Sequence, residues 1–427
     1  MVSSRRRKLV ALVAALAVVV AGCSNSVTKN SSGGGAPGVM SNRIDVGSIA
    51  DVTGPLSSDF APVVAGVQAY FSMVNAEGGV AGRTLRLAHQ TDDQGSPTID
   101  LSVAQTLVEQ DKVFAVVGVG TPFFGGAAYL AHKGTPTFGY VVSTDWANKP
   151  TLFGTFGSVL DFGTAASGDA ASAEQLGAKS IAVVSYGVPQ SAAACKAAAT
   201  GMRAYGLNVT FTDLNLVFGG DPTPDVLQMK GANADLLFSC LDVNGNVAFA
   251  RAISQNGLVL HQVWLNGYDR STLQQYGSIM SGVYFGLEHV PFEAALAYPG
   301  VYPGLDTYIR EMQKYQPSFT YDEVAIDGWI SASLFVAGLR KVGRALTQKK
   351  LVAAIDSETA FNGAGLTPPI NWKTAHTTAT PPYCHSSVRV ANGQFVVMAL
   401  GGANQVFVCY RTGSTTPVSP LPGTPGT

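Results

Sequence analysis

From residue 43 onward the chain alternates short β-branched runs with longer stretches whose apolar residues recur at helical spacing, and few folds tolerate that rhythm. Neighbouring parallel strands need a crossover long enough to hold a helix, so the alternation calls for parallel sheets covered by helices. Residues 44–50 read as a strand. Val63, Val67, Tyr70 and Val74 then share one helical face, and Gly78-Gly79 stops that helix. Residues 84–89 form a second strand, Leu101, Ala104, Leu107 and Val108 mark a second helix, and residues 113–117 form a third strand. A second series follows Phe156, with strands at 180–185, 208–213, 234–240 and 262–266 and helices near 191–205 and 246–256. A strand at 282–287 leads back into helical stretches at 302–315 and 322–342. With 427 residues, 46% of them apolar, the chain has enough material for two lobes.

The amino terminus is ordered by charge and then by apolarity. Arg5, Arg6, Arg7 and Lys8 precede an apolar run from residue 9 to 21, shorter than the roughly 20 residues that cross a bilayer. Val20-Ala21-Gly22-Cys23 resembles a bacterial lipobox, which implies cleavage before Cys23 and lipid on that cysteine. Residues 1–22 are thus expected to be a lipoprotein signal peptide, and residues 23–42, with Ser31-Ser32-Gly33-Gly34-Gly35, a flexible linker. The Pro-, Gly-, Ser- and Thr-rich residues 412–427 read as a disordered tail. The leader takes four basic residues and no acidic one from a total of 27 Lys+Arg and 28 Asp+Glu, leaving 23 against 28 and a formal charge of −5. That balance argues against a nucleic-acid partner.

Setting Cys23 aside leaves Cys195, Cys240, Cys384 and Cys409, an even number in a chain expected on the oxidising side of a membrane. Cys384 and Cys409 flank a hairpin, 387–390 against 395–398 with Ala391-Asn392-Gly393 between, so their pairing is local and leaves Cys195 with Cys240. Four buried free thiols are the alternative. No two cysteines stand at the short separation of a zinc knuckle, and no metal is expected.

Several stretches in the first half carry a family likeness: Thr53-Gly54-Pro55-Leu56; the run from Val74 to Arg83, with Asn75-Ala76-Glu77-Gly78-Gly79; and Asp92-Asp93-Gln94-Gly95-Ser96-Pro97. Leu107-Val108-Glu109 and the strand reaching Gly118 complete the set. In order and spacing they resemble the leucine/isoleucine/valine-binding family of ABC-transporter substrate-binding proteins. That resemblance implies an α/β type I periplasmic-binding-protein fold, two Rossmann-like lobes joined by three crossovers, placed near Phe156, Leu287 and residue 380. Lobe 1 would take residues 43–157 and 286–378, and lobe 2 residues 158–285 and 379–411.

In open parallel sheets ligands collect beyond the carboxyl ends of the strands, where helix amino termini attract anions. Gly118-Val119-Gly120-Thr121-Pro122 is expected there, with Thr121 either a ligand donor or the cap of a helix beginning near Phe123. Ser143 and Thr144, in the loop that follows Tyr140, match by order the family's other carboxylate-contacting loop, or cap the turn before Trp146. Ser57 joins the set in the loop after the first strand. On the second lobe Tyr186, Asp242 and Tyr268 end strands, Asp242 reading either as partner of a ligand amine or as a helix cap. Tyr268-Asp269 stands where a glutamate is expected of an amino-acid receptor, and Tyr140, Trp146, Tyr186 and Tyr268 read as walls for an aromatic or larger acid, or as packing.

Catalytic signatures are missing. Gly118-Val119-Gly120 begins a dinucleotide fingerprint, but Phe123 stands at its third glycine, and no Walker loop or G-x-S-x-G elbow occurs. The chain is therefore expected to be a receptor without cofactor: lipid-anchored outside the cytoplasm, binding a small polar or carboxylated solute such as an amino acid, and serving the permease and ATPase subunits of an ABC importer. A lipid-anchored sensor that signals to a partner protein is the rival expectation.

Overall fold

A computed structural model describes residues 35–379, 382–399, 401–402 and 404–427. The expected signal peptide and Cys23 lie outside the described residues.

The first sheet is built from β1 (Arg43–Ala50), β2 (Thr84–Asp92), β3 (Val116–Gly120), β4 (Thr137–Gly139) and β5 (Leu152–Gly154), all parallel, in the order β2-β1-β3-β4-β5. The second holds β6 (Ile181–Tyr186), β7 (Val209–Leu216), β8 (Leu236–Cys240), β9 (His261–Trp264) and β10 (Val283–Leu287) in parallel, ordered β10-β9-β8-β6-β7. β11 (Tyr383–Ala391) and β12 (Gln394–Met398) extend it antiparallel as the expected hairpin, and β13 (Val408–Tyr410) pairs β11. Strand order reverses at β1/β3 and at β6/β8, and at such switch points the loops diverge and leave a crevice.

The chain leaves the first sheet after β5, returns to it after β10, and goes back before β11. Its return includes the helix Glu323–Val342, buried on nearly every side against the helix Val63–Ala76 and the first sheet. A helix that is apolar all round belongs inside. Its crossing with Val63–Ala76 is made by two glycines: a Cβ on Gly66 would stand 1.8 Å from the Ala325 carbonyl oxygen, and one on Gly328 1.9 Å from that of Val63. Close backbone approach there fixes the first turn of Glu323–Val342, where Glu323 and Asp327 lie.

Disulfides join Cys195 to Cys240 and Cys384 to Cys409. Three expectations need correction. The strand expected at 113–117 is β3, three residues later, because the Gly118-Val119-Gly120 stretch pairs with β1 instead of forming a loop. Gly118 does so at φ +86°, with the Val67 side chain packed where a Cβ would go. Residues 36–42, assigned to the linker, dock on the domain: Asp45 N donates to Gly38 O and Val39 packs on the core. Nor is the tail disordered. Val418 N donates to Cys409 O, Val418 packs on the core and Thr424 is buried, so a few apolar anchors and the Cys384–Cys409 bond hold a segment whose composition alone suggests disorder.

Candidate functional site

A cavity of about 370 Å³ opens at the strand ends of both sheets. The first sheet's side supplies Leu56, Phe60 and Phe123, with Tyr140 just past β4, and the second supplies Tyr186, Leu241 and Asp242. The crossover segments close its flank through Phe156, Phe162, Leu287, Glu288 and Tyr383. Hydrogen bonds tie the halves across this gap: Val243 N donates to Asp59 Oδ1 at 3.3 Å, Gly267 N donates to Glu323 Oε1 at 3.0 Å, and Gln190 Nε2 donates to Pro122 O.

The charged wall is of one sign. Asp59, Asp169, Glu288, Glu323 and Asp327 line the cavity beside the helix caps Asp161 and Asp242, and among the described residues no Lys or Arg does. Removal from water favours the neutral acid. Burial and the charge of Asp242 push Asp59 up to about 8; burial pushes Asp169, Glu288 and Glu323 each up to about 7. The latter three keep some accessible surface, but that surface lines the cavity. Asp327 is only 2% exposed, its Oδ1 has no hydrogen-bond partner, and burial holds its carboxyl well above the usual range. His289 Nε2 is likewise buried without a partner in this wall, and burial lowers the imidazole to about 4.

A family model described as "Periplasmic binding protein" matches residues 43–394. The chain belongs to that family. Solved structures agree on the fold. A fatty acid ABC transporter substrate-binding protein from Thermomonospora curvata superposes with a TM-score of 0.70 at 19% identity, covering 85% of this chain and 92% of that one. A solute binding protein of an R. palustris ABC transporter in complex with benzoate gives 0.68 at 17% identity, over 88% and 99% of the two chains. The branched-chain amino acid transporter substrate binding protein LivJ from Streptococcus pneumoniae, in complex with isoleucine, gives 0.68 at 18%, over 83% and 98%. A comparison with curated proteins finds none that matches.

Of the eight expected ligand residues, the fold brings Tyr140, Tyr186 and Asp242 to the cavity. Asp242 is also the cap of the helix Val243–Gln255, accepting from Asn244 N and Gly245 N while the Tyr186 hydroxyl donates to it. Both of its oxygens are engaged in this way, Oδ1 by Gly245 N and Tyr186 and Oδ2 by Asn244 N.

The other five stand elsewhere. Thr121 is buried beneath the strand end and donates to Asp93, because β3 runs on to Gly120 and the helix starts only at Ala127. Ser143 caps the short turn Thr144–Trp146, which buried Trp146 anchors against Phe124, and Thr144 points to solvent. Ser57 opens the helical turn that carries Asp59 without itself lining the cavity. Tyr268 is fully buried, stacked on Phe292 with ring centroids 5.0 Å apart, its hydroxyl accepting from Phe292 N and donating to Glu293. Gly267, at φ +117°, turns the chain so that this ring enters the core.

Sequence reasoning missed the carboxyls. Asp59 lay two residues beyond Ser57 and carried no motif. Glu323 and Asp327 share one face of a helix of otherwise apolar character, four residues apart, and charged residues in such a stretch were the available signal.

Proposed function

We propose that this chain is an extracytoplasmic receptor of an ABC importer, tethered by lipid on Cys23, that takes one small, largely apolar solute between its lobes and delivers it to permease and ATPase subunits. The observation that carries this reading is the cavity walled by strand ends of both sheets, Tyr140 on one side and Tyr186 with Asp242 on the other. Family membership supports it, as does the binding of isoleucine and benzoate by proteins of similar fold. A solute touching both halves stabilises the closed arrangement by its extra contacts there, and only that difference in affinity drives closure. The sequence at Cys23 supports the anchor.

The test is a thermal-shift screen over amino acids, aromatic acids, amides, amines and nucleosides, followed by X-ray scattering with each hit. A hit near 100 times its dissociation constant adds about 2.7 kcal/mol of stability. The expected result is at least one hit that also shrinks the radius of gyration. Hits that leave the radius unchanged, or a screen with none, would defeat the proposal. For the anchor, Cys23→Ala is expected to release the protein from membranes.

A further inference from the structure

We infer that the solute is an organic cation with an apolar body, an amine or quaternary ammonium, whose charge sits among Asp59, Glu323 and Asp327. This rests on the receptor reading and narrows it. The apolar part of the wall asks for hydrocarbon, and the polar part offers acids from elements that converge on one space. Asp59 comes from the turn after β1, Glu323 and Asp327 from the Glu323–Val342 helix, Glu288 from the end of β10, and Asp169 from the helix Phe162–Gln175. Asp242 and Asp161 face the cavity as caps; Tyr140, Tyr186, Tyr383 and neutral His289 complete the titratable groups around it.

An acidic cluster alone decides nothing, since carboxylates often serve caps and turns. Asp327 is different: it is almost completely buried, lines the cavity, and its Oδ1 makes no well-formed hydrogen bond, the Thr155 hydroxyl being the one donor group that acts on its carboxyl. Such a group costs stability unless something outside the chain satisfies it. A cation does so and also offsets the mutual repulsion of Asp59 from one half and Asp242 from the other, the pair that face each other where the halves meet. The closed form would then gain most from the ligand.

A carboxylate ligand has poor prospects here. The amino end of the helix Val243–Gln255 is already committed, Val243 N to Asp59 and Asn244 N and Gly245 N to Asp242. At the helix Pro189–Ala204, which also borders the cavity, Ser191 accepts from Tyr186 N and donates to Cys240 O. A bound ammonium also favours ionisation of the acids around it, so protons leave for the buffer on binding. Affinity for a permanently charged amine should therefore rise with pH through neutrality.

Calorimetry on the full-length protein with matched pairs tests this: phenethylamine against 3-phenylpropanoate and hexylamine against heptanoate, with benzyltrimethylammonium as a cation that cannot lose a proton. The amines are expected to bind and their carboxylate twins not. Binding should tighten about tenfold from about pH 6 to about pH 8, with heats that vary with the buffer's own ionisation. Asp327→Asn and Glu323→Gln, nearly isosteric changes, should each weaken amine binding about tenfold or more while the free proteins melt no lower. A carboxylate twin that outbinds its amine overturns the inference and leaves the receptor intact. Amine binding indifferent to both variants overturns it as well. If amines, carboxylates and the wider screen all fail, the receptor reading falls first and takes this inference with it.

Discussion

Two groups of acids on the same half of the molecule behave in opposite ways. Asp51, Asp92 and Asp93 lie at the ends of β1 and β2 with carboxylate oxygens within 4.8 Å of one another, close enough to suggest an ion site. Yet each oxygen has a donor. Asp51 accepts from Gly54 N and Leu56 N, Asp92 from Val52 N, Thr53 N, Gln94 N and the Thr53 hydroxyl, and Asp93 from Gly95 N and Thr121. Asp59, Glu323 and Asp327, a few residues or one helix away, line the cavity, and Asp327 keeps an oxygen unserved. The first group shapes turns; in the second, Asp59 accepts from Val243 N and Ser58 and Glu323 from Gly267 N, so Asp327 is the one of the three left with a free acceptor. Hydrogen-bond satisfaction sets Asp327 apart from both groups of neighbours better than burial or proximity does.

The sharpest way to disturb the second group is through the backbone that holds it. Gly328→Ala drives a Cβ into the Val63 carbonyl, and a loss of about 3 kcal/mol is expected in denaturant titration. An unchanged midpoint would mean that the close helix crossing does not set the position of Glu323 and Asp327. Next in size, Asp51→Ala orphans the N–H groups of Gly54 and Leu56 and should cost about 2 kcal/mol by the same measurement. Asp327→Asn removes a desolvated acid that makes few bonds, so stability should stay level or rise by about 1 kcal/mol. A clear loss instead would blur the distinction between the groups.

The last effect is on pH dependence. Asp59 near 8 and Glu323 near 7 hold protons in the folded chain that an unfolded chain, with carboxyls near 4, releases. Their contribution therefore erodes as pH climbs from about 4 to about 8 and is fully present below that window. Asp92 has the opposite sign: burial raises its carboxyl, but bonds from Thr53 and the backbone outweigh this and lower it, so its contribution is present above the usual carboxylate value and is lost in acid. Melting temperatures of the ligand-free protein should fall between about pH 5 and about pH 8, more gently in Asp59→Asn. A slope unaltered by that substitution would remove Asp59 from the account.

Much of the scaffold was legible beforehand. Residues 44–50 and 84–89 alternate with apolar helices in a way only a parallel sheet explains, and the hairpin around Asn392-Gly393 follows from local turn chemistry. The family motifs at Thr53–Leu56 and Asp92–Pro97 were legible too, but they turn out to be the satisfied acids and their turn. Thr121, Ser143 and Tyr268 were misplaced for one reason: a residue after a strand looks alike whether it faces the gap, caps a turn or enters the core. The docked tail was hidden because composition measures average apolarity, whereas Val418 and Thr424 are individual anchors.

What the order of residues determined alone was the succession of strands and helices and the even cysteine set, since each depends on spacing along the chain. The solvent environment of each acid was decided only when distant segments met. Asp59, Glu288 and Asp327 come from three separate parts of the sequence, and their protonation is set by the water each loses to the others' surroundings. Solvation belongs to a place in space, and no stretch of sequence contains one.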